Sequence, residues 1–118
     1  MQVIEKPWGV TRCILKSRRC EIWNASIRSG GKSSVHRHNC VNHFYVVRGD
    51  MLVHDLDALH PAVRLNESFA ECYTVPAGHW HQFEALSDVE LIETYYAEDW
   101  GEVTVDIERQ VAVEAVHG

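Results

Sequence analysis

The sequence predicts an all-β fold, a small sandwich or barrel of short strands. Three observations carry that expectation. Nine β-rich runs alternate with turn signals, no helical period of useful length appears between them, and 118 residues at 46% hydrophobic content suit one core and not two. A single domain over 1–118 is therefore expected.

Taken in order, the candidate strands are Val10–Leu15, Cys20–Ile27, Val35–His38, Asn42–Val47, Met51–Asp55, Glu71–Val75, His81–Ala85, Leu91–Tyr96 and Val103–Ile107. β-branched and aromatic residues supply each run, and these side chains suit a pleated, half-buried surface. Turn signals separate them at Ser29-Gly30-Gly31-Lys32, Pro76-Ala77-Gly78 and Leu86-Ser87-Asp88. Arg48-Gly49-Asp50 between two apolar runs reads as a tight hairpin, because glycine accepts positive φ. Residues 56–70 are ambiguous: Leu56 to His60 reads as one helical turn or an irregular loop.

Composition narrows the function. The net charge is −6 and no Lys/Arg stripe is present, which argues against a nucleic-acid partner. No apolar run approaches the roughly 20 residues of a membrane span. The opening residues lack the layout of a secretory leader, so a cytoplasmic location is expected. Cys13, Cys20, Cys40 and Cys72 contain no Cys-x-x-Cys pair and read as reduced, mostly apolar residues, with Cys40 near enough to the histidines to be weighed as a ligand.

Histidine is the residue in excess, eight of 118. In His36-Arg37-His38 the strand period of two puts both imidazoles on one face, with Cα atoms roughly 6.6 Å apart. Two ring nitrogens leaning to one point can then share a metal at about 2.1 Å. Pro76-Ala77-Gly78-His79-Trp80-His81 supplies a turn that runs into a strand carrying a third histidine. His54, His60 and His117 read as solvent-facing.

Gly30, five residues, His36-x-His38, three residues, Asn42, six residues, Gly49, and then Pro76-x-Gly78-x-x-His81 resemble the two cupin motifs. The resemblance implies a cupin-type double-stranded β-helix, a small jelly-roll barrel, with a divalent metal (Zn, Mn, Ni or Fe) held by His36, His38 and His81. Asn42 stands where the family has its glutamate ligand, and Ala85 where it has an asparagine. Three readings of that departure are open: Asn42 as a neutral oxygen ligand, His43 in place of the carboxylate, or three histidines with water. The opposite strand parity of His43 disfavours the second. Losing a carboxylate weakens affinity for hard ions.

Within cupins the chain resembles single-domain relatives of type II mannose-6-phosphate isomerase. Lys6-Pro7-Trp8-Gly9, Asn42-His43-Phe44-Tyr45-Val46-Val47-Arg48-Gly49, Val75-Pro76-Ala77-Gly78-His79-Trp80-His81-Gln82-Phe83-Glu84, Glu90-Leu91-Ile92-Glu93, Trp100-Gly101-Glu102 and Asp106-Ile107-x-Arg109 carry the likeness. Such a relative would interconvert an aldose and a ketose, as sugar or sugar phosphate. The resemblance makes Glu93 the candidate base, if its side chain faces the barrel, and Glu84 the second. Lys32, Arg37 and Lys6 become candidate phosphate holders. Gln82 replaces a family arginine beside the site, and His79 is a substrate-facing, ligand-supporting or surface group. Trp23, Phe44, Trp80, Phe83 and Tyr95 are candidates to line a pocket of a few hundred cubic ångströms. A non-catalytic sugar-binding cupin, a three-histidine Fe(II) dioxygenase and a barrel with relic histidines are the alternatives. Pairing through a sheet edge makes a homodimer the expected assembly.

Overall fold

The structure is a computed structural model that describes residues 2–68, 71–99, 101–105 and 107–109. Trp100, Asp106 and His117 lie outside these residues. In chain order the strands are β1 (Val3–Lys6), β2 (Gly9–Lys16), β3 (Glu21–Ile27), β4 (His36–His38), β5 (Val41–Arg48) and β6 (Asp50–Asp55). They continue with β7 (Val63–Asn66), β8 (Tyr73–Val75), β9 (His81–Ala85), β10 (Val89–Tyr96) and β11 (Ile107–Arg109). Among the described residues there is no helix, and so none long and apolar enough to cross a membrane.

Two antiparallel sheets form, one ordered β1-β2-β3-β10-β5-β8 and the other β11-β4-β9-β6-β7. Consecutive strands that fall in opposite sheets, as β5 and β6 or β9 and β10 do, wrap the chain into the cupin-type jelly roll. This corrects one expectation. Arg48-Gly49-Asp50 is not a hairpin but the corner where the chain leaves one sheet for the other. Glycine is required there all the same. Its φ is 96°, and a Cβ would stand 2.1 Å from the Asp88 carbonyl oxygen.

Two strands differ from sequence expectation by their presence. β1 and β7 are four-residue edge strands, and their patterns of about one alternation are too short to stand out from loop. Residues 56–60 form turns rather than a helical segment. Residues 103–105 carry no strand, and Ile107 pairs opposite His38.

The period-two alternation of the long strands divides the barrel interior into halves. The inward side of β10 runs Val89, Leu91, Glu93, Tyr95; that of β9 runs Ala85, Phe83, His81; that of β6 runs Met51, Val53, Asp55. β5 runs Val46, Phe44, Asn42 in the same sense. Each passes from apolar to polar along its length. The apolar ends meet in one core with Ala25, Ile27, Leu65 and Val75, all almost fully buried. The polar ends meet at the other end of the interior. One half of the barrel supplies stability through burial, and the other carries chemistry.

Candidate metal and ligand site

His36 and His38 occupy the inward face of β4, with Arg37 between them on the outer face. β4 pairs with β9 through His36 and His81, so the two motifs meet directly across a strand pair. The ring centroids lie 4.9 Å apart for His36 and His38, 4.4 Å for His36 and His81, and 5.4 Å for His38 and His81. All three rings are buried, and one ligand nitrogen from each lies within 4.8 Å of the others. A shared ion at about 2.1 Å needs nitrogens no more than about 4.2 Å apart, which small ring tilts provide.

The tautomers are set by backbone. His36 Nδ1 donates to the Ser34 carbonyl and His81 Nδ1 to the His79 carbonyl, each at 2.8 Å. A carbonyl only accepts, so both rings carry their proton on Nδ1 and present a bare Nε2 lone pair. The His81 Nε2 is buried without a hydrogen-bond partner. Burial, together with neighbouring His81 and His38, pushes the His36 imidazole down to about 2, and burial also lowers His81. These rings are neutral donors at ordinary pH. The donor set fits a divalent ion.

Asn42 lies inward on β5, opposite Tyr95 of β10, and is buried. Its Nδ2 donates over a long 3.4 Å to the His43 and Thr94 carbonyls, while its Oδ1 has no partner. An orphaned amide oxygen in the interior costs roughly 1–3 kcal/mol unless something accepts its lone pairs. It suits a fourth, neutral donor. His43 faces outward, between the Thr74 hydroxyl at 2.7 Å and the Tyr96 hydroxyl at 2.9 Å. Cys40 is buried and stands outside the histidine cluster; Cys13 and Cys20 are half-buried, Cys72 is exposed, and no disulfide joins any of the four.

His36, His38 and Glu93 line one cavity of about 670 Å³. Glu93 is buried and inward-facing, and the Tyr95 hydroxyl donates a short hydrogen bond to its Oε2. Burial pushes the Glu93 carboxyl up, against the opposing pull of hydrogen bonds from Tyr95 and Asn42. Trp23, Phe83 and Tyr95 form part of the wall, and Lys6, Lys16, Lys32 and Arg109 bring positive charge to it.

The remaining candidates sit elsewhere. Gln82 and Glu84 alternate with His81 and Phe83, so they project from the outer face of β9. There Gln82 donates to the Ser33 carbonyl at 2.8 Å, and Glu84 bridges Lys32 at 3.5 Å and His54 at 3.4 Å. Lys32 lines the cavity as well as pairing with Glu84. Arg37 lies 4.5 Å over the Trp80 ring and pairs with Glu108 at 2.8 Å, which holds both away from the cavity. Phe44 belongs to the apolar core, edge-on to His81 at 6.1 Å. His79 turns to Asp55, and His60 is exposed. The roles of Asp55, Lys16 and Arg109 were not legible in sequence, since all depend on which strands become neighbours.

No protein-family model matches the sequence, and no curated protein does. Solved structures do match it. An oxalate decarboxylase variant from Bacillus subtilis aligns at 16% identity over 83% of this chain, with a TM-score of 0.69. KdgF from Halomonas sp. aligns at 17% identity over 83% of this chain and 89% of its own, with a TM-score of 0.70. A cupin superfamily protein from Desulfitobacterium hafniense aligns at 14% identity over 83% and 84%, with a TM-score of 0.67. The chain spans 28% of the oxalate decarboxylase chain. Such identities speak to fold, and the fold they share with this chain is that of the cupins.

Proposed function

We propose that this chain is a metal-binding small cupin that takes an anionic sugar or sugar phosphate into its barrel and interconverts aldose and ketose forms. One observation carries the reading: His36 and His38 of the histidine cluster and the buried Glu93 carboxyl share a cavity whose walls also bring four cationic side chains. The isomerase subtype rests on the sequence motifs, from Lys6-Pro7-Trp8-Gly9 to Leu91-Ile92-Glu93.

His36, His38 and His81, with Asn42 as a fourth donor, would hold a divalent ion (Zn, Mn, Ni or Fe). When bound, the ion supplies Lewis-acid polarisation of a substrate oxygen. Glu93 takes a proton from C2 of the aldose and returns it to C1 while the C2 hydroxyl proton passes to O1, and its raised affinity for protons makes it a stronger base than an ordinary carboxylate. Tyr95 fixes the orientation of that carboxyl. Lys32 and Lys6 hold the anionic end of the substrate. Trp23 and Phe83 present aromatic surface to the sugar, and their walls keep water from the reacting carbons. Four cysteines without a disulfide among them suit a reducing cytoplasm, and the exposed Tyr45 and Val47 on the outer face of β5 suit a homodimer.

The test is proton exchange. Metal-loaded protein with aldose phosphates in D2O is followed by NMR, and deuterium appearing at C1 or C2 is the expected result. Tight binding without exchange would replace the isomerase with a binding protein. The wholly neutral donor set favours a second reading, a three-histidine Fe(II) dioxygenase. Iron in the purified protein together with oxygen uptake would select it.

A further inference from the structure

We propose that Asp55, acting with His79, is the positioning residue of the histidine site and supplies from behind His81 the negative charge that the ligand set lacks. The proposal rests on the metal-binding reading above and concerns the chain's own residues toward that ion.

Asp55 ends the inward face of β6, and in the β6–β9 pairing it lies directly across from His81. Both side chains point inward, so their Cβ atoms stand about 4.5–5.5 Å apart. The Asp55 carboxylate is nearly sealed from solvent, its side chain 2% exposed. A buried charge of this kind is costly and persists only with compensating partners. Its partners are few: His79 Nδ1 donates to both oxygens, at 2.9 and 3.1 Å, and the Asp57 amide donates to Oδ1 at 3.1 Å.

These contacts reach the ligand through the backbone. The His79 ring is anchored on Asp55, and the His79 carbonyl receives the His81 Nδ1 proton. The same turn is fastened to the β6 end by the Trp80 amide donating to Asp57 Oδ2, at 2.6 Å, and the Leu56 amide to the Trp80 carbonyl, at 2.8 Å. Its Gly78 amide donates to the His38 carbonyl at 2.8 Å, which ties the first histidine motif to the second. Asp55 thus orients His81 by way of His79.

Three imidazoles and an amide are neutral, yet they must receive two positive charges in a buried place. Three inward acids are buried among the described residues: Glu21, Asp55 and Glu93. Glu21 accepts from the Trp23 indole, and Glu93 from Tyr95. Of these three, only Asp55 stands opposite a ligand histidine in register. The asparagine at position 42 removes a charge from the shell, and Asp55 restores one just outside it.

Zn²⁺ affinity, read by competition with a chelating dye, tests this. Asp55→Asn keeps the acceptor for the Asp57 amide while losing the charge, and should weaken binding roughly 10–100-fold at unchanged stoichiometry. Asp55→Glu should recover to within about threefold, and Glu102→Gln, on the exposed surface, should match the parent. Affinity of Asp55→Asn within about twofold of the parent would overturn the proposal, as would equal losses in Asp55→Asn and Asp55→Glu. Should Asp55→Asn lack a folded β signal by circular dichroism, His79→Gln is read instead, with a roughly 3–10-fold loss expected and no loss overturning. A parent that binds no Zn²⁺, or a His36→Ala variant that binds as the parent does, overturns the metal reading itself and this inference with it.

Discussion

Lowering pH should unfold the metal-free protein by way of its ligand histidines, and His36 gives the magnitude. Its imidazole titrates near 6.5 in the unfolded chain and is pushed down to about 2 in the fold. Between those values the unfolded state binds the proton and the native state does not, so stability rises with pH there. The contribution is complete above the unfolded value and is lost as pH falls below it, at about 1.4 kcal/mol per unit. From pH 7 to 4.5 the loss from His36 comes to about 2.6 kcal/mol. His81 adds to it in the same direction, since burial lowers that group too. Glu93 acts oppositely above its unfolded value, because its raised native affinity favours the fold at lower pH. Urea unfolding with a chelator present, at pH 7 and 4.5, is the assay, with His36→Asn as reference. The parent should lose about 2.6 kcal/mol more than the variant across that interval. Parallel losses in the two proteins would refute the claim that His36 is buried as a neutral donor.

Three further outcomes follow from the same geometry. Gly49→Ala should destabilise by about 3 kcal/mol or more in urea titration, since a side chain there meets both positive φ and the Asp88 carbonyl; a loss under 1 kcal/mol would contradict the corner geometry. Glu93→Gln should lower exchange of substrate hydrogen with D2O by roughly 10²–10⁴-fold while Zn²⁺ affinity stays within a few-fold. Size-exclusion chromatography at micromolar concentration should return a homodimer, and a clean monomer would remove that proposal.

Strand parity explains most of what the sequence disclosed and some of what was misread. The period of two placed His36 and His38 together and set His43 outside, and the structure has them so. The same rule, counted from His81, puts Gln82 and Glu84 outside, and counted from His36 it puts Arg37 outside. Motif likeness had drawn these three toward the site, against their own parity. Glu93 obeys the rule and faces the cavity. Strand neighbours were not legible. Gly49 announced a positive φ, yet whether the chain folds back or crosses between sheets depends on partners remote in sequence. Asp55 escaped notice for that reason, because nothing local reveals that it will lie opposite His81.

If imidazoles from β4 and β9 converge as neutral donors on one ion, the metal stoichiometry of the purified protein will show it. Parent, His36→Ala and His81→Ala proteins are incubated with Zn²⁺, freed of excess metal and measured by inductively coupled plasma mass spectrometry, with circular dichroism to confirm the β fold. About one ion per parent chain and close to none in either variant is the expected result, all three folded. Equal metal content in parent and variants would contradict it.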